Sequence, residues 1–473
     1  MDLIPISLAT NSYKARSGIL SSERLVNMYA EPAPSNSPFQ STIYNTPGLN
    51  LWLDLEIFDP IFGIEKMGTN IFVVSGVTIL KIDGSKTVTI IGNIDVTPNR
   101  VMMTNNGTQV TILTSSGKAF YCTEIAGSLT EITDPDYQLS GSVTTMDGFT
   151  IFTNLESFRY QISNLNATQT YNALDVDDVL SDSTDLVRAI SNNLEVWFFK
   201  KDITLVYYNS GNGTFPFERK NGVLIQKGCA AKFSVSTLDN SFYFLGNDKV
   251  VYRTNGYQLV PLSTFPISEE IESYSRVDDA FSFTDVQAAH EFYVITFPAA
   301  NKTWVYDITT NSWHERESLD NTLQPTEWTA NSHVSFAEKQ LVGDNMTGKI
   351  YELDLDTYTE DGMPLISKII SATQFDNYNR DSIGELALVM DTGVGINSGQ
   401  GAIPEMMMRT SIDGGKTWSK ELKQPLGAQG NYETEVNWNR VAYGRSLIVE
   451  LKISDPVKRA IVSAFLKVKK GQS

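Results

Sequence analysis

The chain has 473 residues, of which 41% are hydrophobic and 11% aromatic, enough apolar side chain to build a large core and too much for a disordered chain. Lys and Arg number 37 against 55 Asp and Glu, a formal charge of −18, so the chain as a whole gains nothing from releasing phosphate counterions and does not read as a DNA or RNA gripper. Two cysteines, Cys122 and Cys229, make neither a disulfide framework nor a metal set and read as buried small hydrophobes.

The start, Met1-Asp2-Leu3-Ile4-Pro5-Ile6, lacks a basic leader and does not read as a signal peptide, and no apolar run approaches the roughly 20 residues of a membrane span. Residues 11–55 are rich in Ser, Pro and Asn, with Pro32, Pro34, Pro38 and Pro47-Gly48 as breakers. Residues 1–60 are therefore expected to form an extended arm with one short element over 23–28, wrapping its own domain or reaching a neighbour.

From Ile71 a hairpin theme recurs. Its clearest copy is Phe242-Tyr243-Phe244-Leu245, the turn Gly246-Asn247-Asp248, and Lys249-Val250-Val251-Tyr252, in which the turn residues tolerate positive φ and the flanks suit a pleated surface. Related first strands begin at 71, 110, 149, 196, 242, 292 and, more weakly, 334, a spacing of 39 to 50 residues, and all but the first are followed by a second strand carrying a tyrosine. Short strands at this period predict an all-β chain with a β-propeller of about seven blade-like repeats, six to eight by count, over residues 61–363. An evenly spaced stack of sandwiches is the competing arrangement. Helix is expected only over residues 175–186 and 267–276, the second with Glu269 and Glu270 in its first turn. The period is lost after Asp354, and residues 364–473 read as a small β-sandwich-like module with strands over 366–371, 384–390, 406–411, 433–439, 446–452 and 460–467.

One motif in that module is specific. Ser411-Ile412-Asp413-Gly414-Gly415-Lys416-Thr417-Trp418 matches the Asp-box, a hairpin turn in which Asp413 accepts hydrogen bonds from turn amides, Gly415 and its neighbour supply positive φ, Ser411 and Thr417 complete the turn, and Trp418 packs under it. The Asp-box defines a turn and says little about catalysis. A sialidase would also need a Phe-Arg-Ile-Pro-like string, and the nearest, Phe158-Arg159-Tyr160, lacks the proline. His290, His314 and His333 are too far apart for a zinc helix, and the acidic strings at 175–178 and 354–356 lack the glycine and glutamate of an EF-hand loop. No catalytic, cofactor-binding or metal-binding residue is nominated, and no cofactor is expected.

Further strings carry a family resemblance. Arg24-Leu25-Val26-Asn27-Met28-Tyr29-Ala30-Glu31 with Thr46-Pro47-Gly48-Leu49, Pro216-Phe217-Glu218-Arg219, Ile225-Gln226-Lys227-Gly228-Cys229-Ala230-Ala231, the run from His290 to Pro298, Thr303-Trp304-Val305-Tyr306-Asp307 with Trp313-His314-Glu315-Arg316, and Gly348-Lys349-Ile350-Tyr351 resemble the tail hub, or packaged-DNA stabilisation, proteins of short-tailed bacteriophages. The resemblance implies a non-enzymatic virion protein of the tail, assembled in the host cytoplasm. It would form a homo-oligomeric ring, six copies in this family, below the portal and head-to-tail adaptor. There it would retain packaged double-stranded DNA, carry a tail needle or plug and tailspikes or fibres, and form part of the ejection conduit. The alternative is a glycan-binding or sialidase-like propeller, motivated by the Asp-box and by the exposed aromatics expected at blade ends.

Overall fold

The computed structural model describes residues 2–94, 99–125, 127–180, 183–375 and 379–471. Among these residues seven antiparallel blades follow one another, six of four strands within 61–93, 102–131, 140–178, 186–219, 236–261 and 281–319 and the seventh within 330–354. The seventh has only three strands of its own, and Gly48–Asp54 supplies the fourth, pairing with Lys349–Asp354 from Gly48↔Asp354 to Asp54↔Lys349. This closes the ring with a strand from the opposite end of the sequence. A side chain at Gly48 would overlap the Thr357 carbonyl, so the closure requires glycine there.

Alternation along each strand explains why a blade cannot stand alone. In the hairpin 242–245, Phe242 and Phe244 pack on Trp197, Phe199 and Val206 of the fourth blade, whereas Tyr243 and Leu245 pack on Tyr293, Ile295 and Trp304 of the sixth. Both faces are buried, which is why the strand reads as a continuous apolar run. Seven such clusters join successive blades, and the last unites Val334, Phe336 and Ile350 of blade seven with Ile61, Ile71 and Val73 of blade one. The ring of cores is complete.

The recurring hairpins of the sequence are the second and third strands of blades one to six. In blade seven the weak copy at Val334 falls on the first strand, Ala330–Phe336, and the second is Lys339–Asp344. That strand carries Gly343, whose missing side chain leaves room for Ile61 and hides the expected apolar run. The turn of the fifth-blade hairpin also differs: the positive φ (62°) is at Lys249, with the Lys249 amide donating to Gly246 O over 2.9 Å and the Val250 amide to Asp248 Oδ1 over 3.3 Å. Gly228, in the string after blade four, lies so close to the Lys201 carbonyl that no side chain fits. From there the Cys229 amide donates to Lys200 O over 3.0 Å and the Ala230 amide to Leu245 O over 3.0 Å, clipping blade four to blade five.

Of the two expected helices, one forms. Phe265–Ser273 is helical with Pro266 in its first turn, and because it starts earlier than expected, Glu269 and Glu270 fall beyond that turn. Of the residues expected as the other helix, 181–182 lie outside the described residues and the described ones are not helical: Val176–Asp178 is the outer strand of blade three, held by Arg159 to Asp178 at 2.8 Å, and a new strand starts at Leu186. Pairing with Arg159–Ile162 outweighs the local helix signal.

The C-terminal module is a sandwich of two sheets. One orders Met28–Pro32, Ser41–Asn45, Ala460–Lys469, Asp381–Met390 and Val436–Gly444, with Asp2–Ile6 also on Ala460–Lys469. The other orders Ser22–Val26, Ser367–Ile370, Ser446–Ile453, Glu405–Ser411 and Leu422–Pro425. Its core mixes Ile6, Leu8, Leu25, Met28 and Ile43 with Leu386, Trp438, Val449 and Leu466. The segment expected as an extended arm is therefore built into both units of its own chain. Among the described residues, no helix is long and apolar enough to cross a membrane.

Candidate functional site

Three places concentrate polar groups: the joint between propeller and sandwich, the Asp-box turn, and the cavity on the propeller axis.

The joint is organised by Arg24 and Asn27. Strand Ser22–Val26 runs antiparallel to Ser367–Ile370 of the sandwich and meets the outermost strand of blade six at Val26↔Glu315. Asn27 then turns the chain with φ 52°, a left-handed conformation that asparagine tolerates. Its amide donates to Glu315 O at 2.8 Å, its Nδ2 to Glu317 O at 2.8 Å and Ile366 O at 2.9 Å, and its Oδ1 accepts from the Glu317 amide at 3.0 Å. Its carbonyl accepts from the Thr46 amide at 3.1 Å and Ser367 Oγ at 3.2 Å. One 1%-exposed residue thus ties together the propeller, the sandwich and the N-terminal segment.

Beside it, Glu315 is 1% exposed and accepts two hydrogen bonds from Arg24, Nε at 2.8 Å and Nη2 at 2.5 Å, while Lys302 Nζ approaches the same carboxylate. Burial opposes the charge, but Arg24 and Lys302 outweigh it and hold the Glu315 carboxyl well below the usual range.

The fold also gathers two histidines the sequence keeps apart. The rings of His290 and His314 lie 5.0 and 6.3 Å from that of Tyr29, and His290 Nδ1 is 2.7 Å from Asp307. Burial, then the Arg316 charge, push His314 down to about 3, whereas the hydrogen bond to Asp307 raises His290. An unfolded histidine titrates near ~6.5. Between that value and the depressed one the unfolded chain holds the extra His314 proton, so stability falls as pH drops through this window. His290 works in the opposite sense, adding stability that is fully present below ~6.5 and lost as pH rises through its raised value. Going from about pH 7 to about pH 5 is expected to remove about 2 kcal/mol through His314. Urea midpoints at the two pH values check this, and His314→Asn is expected to lose that pH dependence.

The Asp-box forms a hydrogen-bonded turn. Asp413 Oδ1 accepts from Ser411 Oγ at 2.7 Å and from the Lys416 and Thr417 amides at 3.0 and 2.9 Å, and Oδ2 accepts from Thr417 Oγ1 at 2.6 Å. These bonds, the Thr417 hydroxyl first, hold the carboxyl below its usual range. Gly414 and Gly415 have φ 77° and 83°. Trp418 lies beside Gly415, with the Arg409 guanidinium 4.8 Å from its ring centroid. The turn belongs to the sandwich and not to a blade, and it seats the N-terminal segment: a side chain at Gly18 would overlap the Gly414 carbonyl, and Thr373 Oγ1 donates to Gly18 O at 2.8 Å.

Innermost strands of neighbouring blades touch one another along most of the ring and line two adjoining chambers of about 770 and 370 Å³, which share Phe62, Arg100, Phe233 and Asn331. Arg100, at the head of blade two, crosses the cavity mouth to Asn331 of blade seven, with Nη1 2.9 Å from the backbone carbonyl, and stacks 3.6 Å from the Phe281 ring centroid. Arg188 of blade four donates to Lys232 O at 2.8 Å. Sequence reasoning missed these cations because they are scattered through the chain. What they share is a place in or just before an innermost strand.

A family model described as "Bacteriophage P22 Gp10, beta-propeller" matches residues 4–358, and another described as "Bacteriophage P22 Gp10, beta-sandwich" matches residues 368–469. The chain belongs to the bacteriophage P22 Gp10 family. It is a structural tail protein of a bacteriophage, with a β-propeller followed by a β-sandwich. The Gp10 propeller match includes residues 22–45, whose strands physically belong to the sandwich, so the Asn27 joint stitches the two Gp10 modules across their sequence boundary. No curated protein matches the chain. Among solved structures the chain is similar to the computationally designed Ika8 protein, 10% identical with TM-score 0.38, covering 64% of this chain and 99% of that one. The extracellular domain of the one component system BT4673 from B. thetaiotaomicron is 10% identical with TM-score 0.44, covering 86% and 59%. PorZ of the type-IX secretion system of Porphyromonas gingivalis is 12% identical with TM-score 0.39, covering 80% and 46%. Likenesses at this level say nothing of what a Gp10 chain does.

Proposed function

We propose that this chain is the ring-forming hub of a short phage tail: several copies, six by family resemblance, assemble below the portal and adaptor, retain the packaged DNA, carry needle and spikes, and form part of the ejection conduit. The observation that carries this reading is the pair of Gp10 matches, which follow one another over nearly the whole chain. The charge of −18 agrees with it, since a conduit wall that bound phosphate tightly would hold back the duplex it must release. The protein acts as a structural part and not as an enzyme. The glycan-directed alternative rested in part on the Asp-box, whose Ser411, Asp413 and Thr417 are engaged in the turn itself and whose Gly414 seats Gly18.

The test is genome retention. Heads filled in the absence of this chain are expected to lose DNA to nuclease, and purified chain added back is expected to restore protection. Equal leakage with and without the chain would sink the proposal.

A further inference from the structure

Three cations meet where the two chambers of the axial cavity adjoin: Arg100 lines both, Arg188 the narrower and Lys232 the wider. The Arg100 guanidinium and the Lys232 ammonium flank the Phe233 ring, 5.8 and 5.1 Å from its centroid, and Arg188 is tied to the Lys232 backbone. Among the described residues, no carboxylate lies within ion-pair distance of any of the three. The wider chamber also carries Glu156, Asp185, Asp278, Asp279 and Glu327 on its lining, of which Asp278 is paired with Arg276 at 2.6 Å, and Glu65 of the narrower one accepts from Asn105 at 2.6 Å.

Such an arrangement costs stability. Arg188 Nε is buried without an acceptor, burial disfavours the charge on all three groups, and Arg188 and Lys232 repel each other. Neighbouring blades are hydrogen-bonded around this cavity, with Thr144 on Ser191 at 2.9 Å, Ser236 on Ser282 at 2.7 Å and Asn331 Nδ2 on Ile61 O at 2.5 Å.

We propose that this axial cavity binds a small multivalent oxyanion, phosphate- or carboxylate-bearing, through Arg100, Arg188 and Lys232. The adjoining chambers, of about 770 and 370 Å³, each have the volume of a small-molecule site, and Phe233, around which the cations gather, lines both. Guanidinium groups supply forked donors that match oxyanion geometry, and the Lys232 ammonium adds a point charge. The proposal is independent of the tail-hub reading, because it concerns a cavity inside each propeller.

Calorimetric titration and thermal melts of the full chain test it, with inorganic phosphate, citrate, and sodium chloride at matched ionic strength. Phosphate or citrate, whichever is the better mimic, is expected to raise the melting temperature above the chloride control. Lys232 donates no side-chain hydrogen bond among the described residues, and Lys232→Met is expected to bind roughly tenfold more weakly. It is also expected to melt higher than the parent in chloride, an advantage that shrinks as the anion is added. Arg188→Lys is expected to weaken binding while keeping the charge. Shifts no larger than with chloride would overturn the proposal, as would affinities unchanged in both variants.

Discussion

Asn27→Ala is expected to destabilise the protein by about 3–5 kcal/mol, more than any other single polar truncation in the N-terminal segment. The change strips the partners from the Glu317 amide, the Glu317 carbonyl and the Ile366 carbonyl, all partly buried around a residue that is itself 1% exposed, and asks alanine to hold φ 52°. Asn27→Gly separates the two effects, since glycine adopts that conformation freely and should recover about 1 kcal/mol. Because Asn27 ties both modules, differential scanning calorimetry should also resolve the propeller and sandwich as separate transitions in the variant. A loss below about 1 kcal/mol would show that the joint is not held there.

Glu315→Gln is expected to have a similar effect by a different route. It takes from Arg24 and Lys302 the buried carboxylate they share and leaves them the longer contacts to Glu317 at 3.3 Å and Glu270 at 3.7 Å; breaking such a buried pair typically costs about 3–5 kcal/mol. Chemical denaturation of Glu315→Gln and of the double variant Glu315→Gln with Arg24→Met decides the mechanism. Removing the arginine as well should return part of the loss. The sign with pH follows from the depressed Glu315 carboxyl: its contribution is present above the unfolded value of ~4.3 and is lost as pH falls towards the folded one. Equal destabilisation in the single and double variants would contradict a charge-based account.

The propeller was legible in the sequence because its second and third strands are buried on both faces and so form apolar runs at a regular spacing, as Phe242-Tyr243-Phe244-Leu245 does between blades four and six. Its innermost and outermost strands were not, because they are half exposed or, like Val176–Asp178, largely polar. The closure of blade seven was illegible for a different reason: Gly48–Asp54 pairs with a strand about 300 residues away, and no local pattern announces a partner at that distance. The same holds for the sandwich, which takes Asp2–Ile6, Ser22–Val26, Met28–Pro32 and Ser41–Asn45 from a segment whose prolines and serines suggested a loose arm. Arg24, Asn27 and Glu315 lay within strings that carried the family resemblance, and the structure supplies their physical task. The axial cations had no such string, since Arg100, Arg188 and Lys232 converge only when the ring closes.

The tail-hub reading is tested most directly by electron microscopy of the purified chain mixed with its portal and adaptor assembly. The expected result is a closed ring of copies, six by family resemblance, docked below the adaptor with the propellers arranged around the tail axis. Monomers that leave the adaptor bare at saturating concentration would contradict it.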